Sequence, residues 1–594
     1  MLVNNALPSE ETQRLESKSR KSLRWSILSY LIALSVSISG ACLVHRVSIA
    51  NLRSPWRIRD SDLSSAYAMA AALKQSWFGI VDHHLGAPYS ADYNLAYAPE
   101  DVHANLTRVL VHIFRQPIFT VNFIYILSFG LTAVSALWLA RKIGIKNPIA
   151  VAVSLAFSWL PYHFIRMDYG HVVLAEYFMI PIGLWIVISE YVRFDEPFRE
   201  RHVWNHGLLH ALALSLLVGA SNSYYALFFS ILTFSLVPVA ILTRKGTAHR
   251  LSSVFRLTCL SVALMLPTLL HDAWANLHRT SPQILDRSPE ESIRFGGSIA
   301  RLLIPWGVHV PQSLSRLIPW EEFEWTATPI MVSIGVLLVL MSVLFAIVRQ
   351  DNKVEPICVP GYLRYLGSVA LLFYTSSGFG LIFAGTVSPI FRCWNRLSVV
   401  LSLIGLLALG KQLSTGKIER FANIIGPVLI CVAMGTQILN ASELRVGPEP
   451  DPDSRLLISE LITIRSEIEK QFNEGCRFLQ LPIVEAFGGS NVNALTPGNQ
   501  YWLPLYLPNM YWSFGAASGT PAGDFWKTKS NQGIDALYHA ATENRFCGVV
   551  LDRRGYPTDE EFQKEIRLWE ERSTTPPIYP TDTLALIRLS RSES

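Results

Sequence analysis

The sequence predicts an α-helical polytopic membrane protein, with about 11 transmembrane helices and a small α/β domain at its carboxyl end. Three observations carry that class. Half of the 594 residues are hydrophobic and only 16% are charged, whereas soluble chains carry about 25% charged residues. The apolar residues are gathered into long runs, and a helix needs roughly 20 mostly apolar residues to cross a bilayer. Past residue 441 the runs stop, and short apolar stretches alternate with helical patterns. Mean hydropathy is +0.28. The 51 basic and 46 acidic residues leave a net charge of +5, a balance too mild for nucleic-acid binding. The apolar content excludes disorder, and 7 cysteines in so long a chain exclude a disulfide-knit secreted scaffold.

Residues 1–24 form a basic tail carrying Arg14, Lys18, Arg20, Lys21 and Arg24. The domain at 25–440 holds eleven apolar stretches: 25–44, 119–140, 148–164, 172–190, 206–220, 224–242, 257–274, 327–348, 363–384, 396–410 and 420–440. The third, fifth and tenth are short, as expected of spans that are tilted or enclosed by the others. Loops of the same parity as the tail are short and basic, with Arg141, Lys142 and Lys146, then Arg193, Arg199 and Arg201, then Arg244, Lys245 and Arg250. Arg349 and Lys353, then Lys411, Lys417 and Arg420 continue the series. Positive residues stay inside, so the amino terminus is expected in the cytoplasm and the carboxyl end outside. The first apolar run is too long for a cleavable leader, and no small-residue cleavage site follows it, so it reads as a retained signal anchor.

The polar mass lies in two outer loops and the tail. The first loop, 45–118, has helical patterns at 63–78 and 101–115 with mixed apolar faces, expected to lie at the membrane interface. The second, 275–326, is rich in Pro, Trp and Arg. A Pro-rich linker at 441–454 leads to an α/β domain at 455–594. There 456–472, 534–544 and 558–571 read as helices, and Arg477–Leu481 and Gly548–Asp552 as strands. Cys476 and Cys547 each adjoin a strand and could pair; otherwise they are small packing residues. No cysteine or histidine spacing fits a zinc site.

Several polar clusters need a reason. Arg57-Ile58-Arg59-Asp60-Ser61-Asp62 follows the first span. A carboxylate there can act as a general base or ligate a divalent cation, and the arginines can hold phosphate. The same Asp equally caps the following helix. Between the third and fourth spans, His163, Arg166, Asp168 and His171 crowd a short turn, costly at a membrane boundary unless paired or wetted. They form a substrate site or an interfacial anchor with an Arg166–Asp168 pair. Arg392 and Arg396, at the outer start of the tenth span, run against the positive-inside tendency. They could bind a lipid phosphate or snorkel to ordinary headgroups. Asp101 and His103 either complete a site with Asp62 or make an acidic helix start. Glu176 enters the fourth span and faces the bundle interior, with a partner the sequence does not name.

Seven stretches carry a resemblance: Ser61-Asp62-Leu63, Leu85-Gly86-Ala87-Pro88-Tyr89, Pro161-Tyr162-His163-Phe164-Ile165-Arg166 with His171, Asn222-Ser223-Tyr224-Tyr225-Ala226, Arg392-Cys393-Trp394-Asn395-Arg396, Gln480-Leu481-Pro482, and Asp552-Arg553-Arg554-Gly555-Tyr556. Together with the loop architecture they resemble the GT-C superfamily of integral-membrane glycosyltransferases. More specifically the chain resembles bacterial polytopic membrane proteins close to that superfamily, with an extracytoplasmic C-terminal domain. Where the superfamily has an acidic dipeptide, Ser61 here separates Asp60 from Asp62. The resemblance implies a sugar donor on a polyprenyl phosphate, used at the outer face of a bacterial inner membrane. The acceptor would be an envelope glycan, lipid or protein.

Asp62, with Asp60, would be the base for an inverting attack. Arg59, His163, Arg166, Asp168, His171, Arg392 and Arg396 would bind substrate, with Arg166, Arg392 or Arg396 meeting the leaving phosphate. Mg²⁺ or Mn²⁺ could assist at the two acids, although no residue set reads as a metal site. The rival functions are a non-enzymatic transporter or flippase of a lipid-linked glycan, and a membrane-anchored envelope scaffold. Outer-surface clusters favour the enzyme, since transporters hold substrate near the midplane.

Overall fold

The computed structural model describes residues 10–56, 62–95, 101–193, 206–281, 287–304, 328–348, 357–440, 452–486, 491–573 and 575–589. Every predicted apolar stretch meets helix, but not every stretch is a full span. Among the described residues, eight helices are long and apolar enough to cross a membrane. They are Ser26–His45, Pro117–Lys142, Asn147–Asp168, Ser223–Thr243, Thr247–His278, Ile330–Val348, Trp394–Leu413 and Ile418–Leu439. Ile180–Val192 and Gly207–Gly219 are apolar but shorter.

The stretch expected at 363–384 is broken into helices Gly361–Tyr374 and Phe379–Thr386. The break has a physical reason. Freed backbone groups cannot be left bare at membrane depth, and the second outer loop satisfies them. Gly297 N–H donates to Tyr374 O at 2.7 Å, and Ser376 N–H donates to Gly297 O at 3.0 Å. A Cβ on Gly297 would fall 2.0 Å from the Tyr374 ring, so this entry requires a glycine.

Two helices lie at the centre. The most apolar window is 94% buried in Asn147–Asp168 and 83% in Trp394–Leu413, against 22% in Ile418–Leu439. Two of the three stretches read as short, 148–164 and 396–410, are these enclosed ones; the other, 206–220, is the helix Gly207–Gly219, with Leu209, Leu216 and Leu217 exposed. Ile330–Val348 packs closely on Ser398–Leu413 because two glycines meet there: a Cβ on Gly335 would sit 2.1 Å from Gly405 O. Without water, polar side chains bond across helices. The Trp159 indole donates to Ser37 O at 3.0 Å, and Tyr177 donates to Phe157 O at 2.8 Å. At the end remote from the α/β domain, Arg256 grips Glu190 with two bonds of 2.7 and 2.8 Å, and Lys146 pairs with Glu419 at 2.6 Å.

In the first outer loop the helices Leu63–Gln75 and Asp101–Phe114 stand where helical patterns were read. A two-stranded ribbon, β1 (Val81–Asp82) against β2 (Ala91–Asp92), joins them. Burial raises the Asp82 carboxyl above the usual range, against bonds from Gln75 and His84 that lower it. The loop is pinned to the bundle by Asn122, whose amide donates to Leu52 O and Ser54 O and accepts from Tyr67.

The tail domain opens with helix Pro452–Gln471 and carries a five-stranded sheet in the order β4-β3-β5-β7-β6. β3 is Arg477–Leu481, β4 Tyr511–Trp512, β5 Phe546–Asp552, β6 Ile578–Thr581 and β7 Leu584–Arg588. β3 runs parallel to β4 and β5, while β5, β7 and β6 are antiparallel. Trp526, Phe562, Ile566 and Trp569 from two helices bury one face, against Leu479, Val549 and Ile587. The first outer loop covers the β4 edge: Leu85 bridges Trp512 in parallel, Ala87 N–H donates to Trp512 O, and the Trp526 indole donates to Ala87 O. Asp524 then accepts hydrogen bonds from Thr280 and Ser281 of the second outer loop. The sheet is thus built partly from the membrane domain.

Cys476 and Cys547 form a disulfide, with Cα atoms 5.7 Å apart, while Cys42, Cys259, Cys358, Cys393 and Cys431 are free. Thiol counting on the denatured, unreduced protein should therefore find those five reactive groups and two more after reduction. A Cys476→Ser variant should lose about 2–5 kcal/mol, read as a lower unfolding midpoint of the tail domain.

Candidate active site at the domain-bearing end

The site grows from the ends of the two most enclosed helices that lie toward the tail domain. Pro161 starts a helix, Pro161–Asp168, that ends in the turn Tyr169-Gly170-His171. Gly170 has φ +77, and a Cβ there would lie 2.2 Å from Leu63 N and 2.5 Å from Asp62 C. Only glycine tolerates both that backbone and that contact. Asp62 N–H donates to Tyr169 O at 3.2 Å, which fastens the start of the 63–75 helix to this turn.

Asp62 occupies the N-cap position, yet its side chain makes no capping bond. The carboxylate is 72% exposed, with Oδ2 lying 3.7 Å from His171 Nε2. His171 Nδ1 is in turn 3.4 Å from Arg166 Nη1. Arg166 is fully buried and lies over the Tyr162 ring at 4.8 Å. The Tyr162 hydroxyl meets that of Tyr225 at 3.2 Å, and Tyr225 donates to Leu174 O at 2.8 Å. Arg396 lies over Tyr224 at 4.3 Å, and Tyr225 is within electrostatic reach of both arginines. Asn222 sets this geometry: its side chain caps the next helix by accepting from the N–H groups of Tyr224 and Tyr225. The arrangement places a solvent-facing carboxylate in front of two guanidiniums held on aromatic faces.

Of the predicted residues, Asp62, His171 and Arg166 form one contact series, and Arg396 joins it through the tyrosines. Asp168 ends the same helix, half-buried. His163 is turned the other way. It is fully buried, stacked on Phe129 at 3.6 Å, with Nε2 on Ser128 and Nδ1 on Ser158 O. With both nitrogens committed inside the bundle, it stands apart from the cluster. Arg392 is drawn off to Glu291 at 2.6 Å and lies over Phe295 at 4.6 Å, so the two arginines of that segment face different partners. Arg59 and Asp60 lie outside the described residues. Among the described residues no group of three or more His, Cys, Asp or Glu side chains could hold a metal ion.

Sequence reading gave no role to Tyr162, Tyr224 or Tyr225, although Asn222 ahead of an apolar run was a readable cap. It also left Glu176 without a partner. That partner is His103, at 2.5 Å, with both side chains under 5% exposed. The pair clamps the first outer loop to the segment just beyond His171. Asp101 lies in the first turn of its helix, as an acidic helix start.

No family model matches the chain, and no curated protein matches its sequence. Solved structures similar to it include an arabinofuranosyltransferase and an oligosaccharyltransferase. The arabinofuranosyltransferase AftD from Mycobacteria aligns at TM-score 0.49 and 14% identity, over 96% of this chain and 40% of AftD. The oligosaccharyltransferase AglB from Archaeoglobus fulgidus, in complex with an inhibitory peptide and a dolichol-phosphate, aligns at TM-score 0.43 and 11% identity, over 88% of this chain and 69% of AglB. The chain thus spans two fifths of the length of AftD. Likenesses at this level assign no activity.

The His103–Glu176 clamp can be tested by itself. Glu176→Ala leaves a buried imidazole without its acceptor and should cost about 1–3 kcal/mol. Glu176→Gln keeps an acceptor and should cost less. The unfolding temperature of the solubilised protein reads both.

Proposed function

We propose that this chain is a membrane glycosyltransferase. It moves a sugar from a polyprenyl-phosphate donor to a hydroxyl of an envelope glycan, lipid or protein, at the outer face of a bacterial inner membrane. One observation carries the reading: Asp62, His171, Arg166 and Arg396 converge at one end of the bundle from three distant segments, carboxylate in front and guanidiniums behind. The resemblance of those same segments to the GT-C superfamily supplies the donor class.

In this reading the acceptor hydroxyl attacks the anomeric carbon and its proton passes to the Asp62 carboxylate. The bond from that carbon to the phosphate oxygen breaks, and its electron pair leaves with the lipid phosphate. Direct attack inverts the configuration. Arg166, itself fully buried, and Arg396 meet the developing negative charge as donors already held in place. His171 orients Asp62.

Asp62 makes no capping bond, so Asp62→Asn should leave expression and folding intact while removing the base. Transfer from a lipid-linked sugar should fall by about 10²–10⁴-fold; an unchanged rate rejects the assignment. Asp60→Asn should be milder. If both variants fail and added Mg²⁺ or Mn²⁺ shifts the residual rate, the two acids share a cation. Arg396→Gln should weaken donor use more than Arg392→Gln, because Glu291 already holds Arg392. An Arg396→Lys variant should recover part of the loss, restoring charge without the planar fork.

The orientation rests on the basic loops and on the tail disulfide, since such bonds persist in oxidising compartments. Reporters fused after Ser442 should read as extracytoplasmic. A cytoplasmic reading would put the site on the wrong face and remove this function.

A further inference from the structure

Two of the stretches that carried the resemblance, Gln480-Leu481-Pro482 and Asp552-Arg553-Arg554, lie far from Asp62 in sequence and play no part in the chemistry above. The fold brings them together. Gln480 and Leu481 end β3, Asp552 ends β5, and these strands are parallel neighbours. Crevices beyond the carboxyl ends of parallel strands are where α/β sheets hold ligands. A cavity of about 20 Å³ lies here, walled largely by apolar side chains including Trp502 and lined by Gln480, Gln500, Asp552 and Arg554.

Its polar floor has a defined sense. The Gln480 amide nitrogen donates to Gln500 O, and the Gln500 amide nitrogen donates to Pro482 O, each at 3.1 Å. Turning either amide over would set oxygen against carbonyl oxygen, so both orientations are fixed. The two amide oxygens are left on buried side chains, each residue 4% exposed, with no partner among the described residues. A buried acceptor without a donor costs about 1–3 kcal/mol. Asp552 does not supply the answer, because Arg554 already grips it through two bonds of 3.0 and 2.7 Å. The floor therefore offers two acceptors, which O–H donors can satisfy.

We propose that this pocket of the tail domain binds the edge of a saccharide, two adjacent hydroxyls donating to Gln480 Oε1 and Gln500 Oε1. A space this small admits hydroxyl groups and not a sugar ring, so the ring lies outside, at the rim formed by Arg554 and the half-buried Asn499. The site deepens the glycosyltransferase reading by giving the tail a glycan-holding task, and it can be tested without transfer.

The full-length protein in nanodiscs is titrated with millimolar methyl glycosides of several pentoses and hexoses, with methylammonium as a charged control. Saccharide contacts are read by saturation-transfer NMR and by the unfolding temperature. Binding is expected for at least one glycoside. It should fall at least tenfold in Gln480→Leu and Gln500→Leu, which fill the space without an acceptor, while Asp62→Asn should bind normally. If a leucine variant does not fold, Gln500→Met replaces it; the side chain is of similar length without the amide acceptor, and saccharide affinity should still drop. No glycoside binding by the folded wild type would leave a water-sized cavity only and overturn the proposal, as would binding of methylammonium alone. Glycoside binding without any transfer activity would keep this site and reject the catalytic reading. Transfer without glycoside binding would do the reverse.

Discussion

Between Tyr169 and His171 the bundle and the first outer loop share a single turn, and the rest of the site depends on it. The glycine at 170 lets the backbone of Asp62 and Leu63 press against the end of the most enclosed helix. Once Asp62 N–H is bonded to Tyr169 O, the carboxylate's position follows from the helix below it and not from loop motion. A side chain held by a rigid element is placed far more reproducibly than one on a free loop. Everything behind it, from His171 to Tyr225, is then fixed relative to the membrane surface.

The electrostatics follow from where those helices end. A charge in the hydrocarbon is expensive, so Arg166 is tolerable only at a helix end beside polar and aromatic groups. The tyrosine rings share the task by turning their negative faces to Arg166 and Arg396. Glu291 does it differently for Arg392, with a full opposite charge. That contrast distinguishes two neighbouring arginines of like sequence context: Arg392 meets a carboxylate, and Arg396 lies on an aromatic face.

Much of this is legible in the sequence, and the gaps have physical causes. Runs of apolar residues announce the bundle, but run length does not announce its centre, since the short fifth run carries exposed leucines and the two enclosed helices are 22 and 20 residues long, within the range of the other spans. The break near 375–378 falls on Thr375-Ser376-Ser377-Gly378, a polar breaker inside the apolar run, while the loop glycine that pairs with it stands 78 positions earlier (375 − 297) and is linked to it by no local pattern. In the tail, β3 and β5 are readable as apolar strands, whereas the two-residue β4 carries no periodicity to detect. Asp62, Arg166 and His171 are legible as charges at a membrane mouth. The match of Glu176 to His103 is not, because the partners stand 73 residues apart and no local pattern links them. The tyrosines escape because aromatic residues at a membrane boundary are ordinary.

The pairing of Leu85 and Ala87 with Trp512 also fixes an order of events. Ala87 waits for Trp526, 439 residues further along the chain, so the first outer loop is synthesised with an open backbone edge that nothing nearby can cover. Its partner strand arrives only when the last quarter of the protein has been made. Contacts of such long range are slow to form, and an uncovered edge is a hazard while it lasts. The loop that carries Asp62 therefore completes its backbone pairing with Trp512 only after the tail has been made.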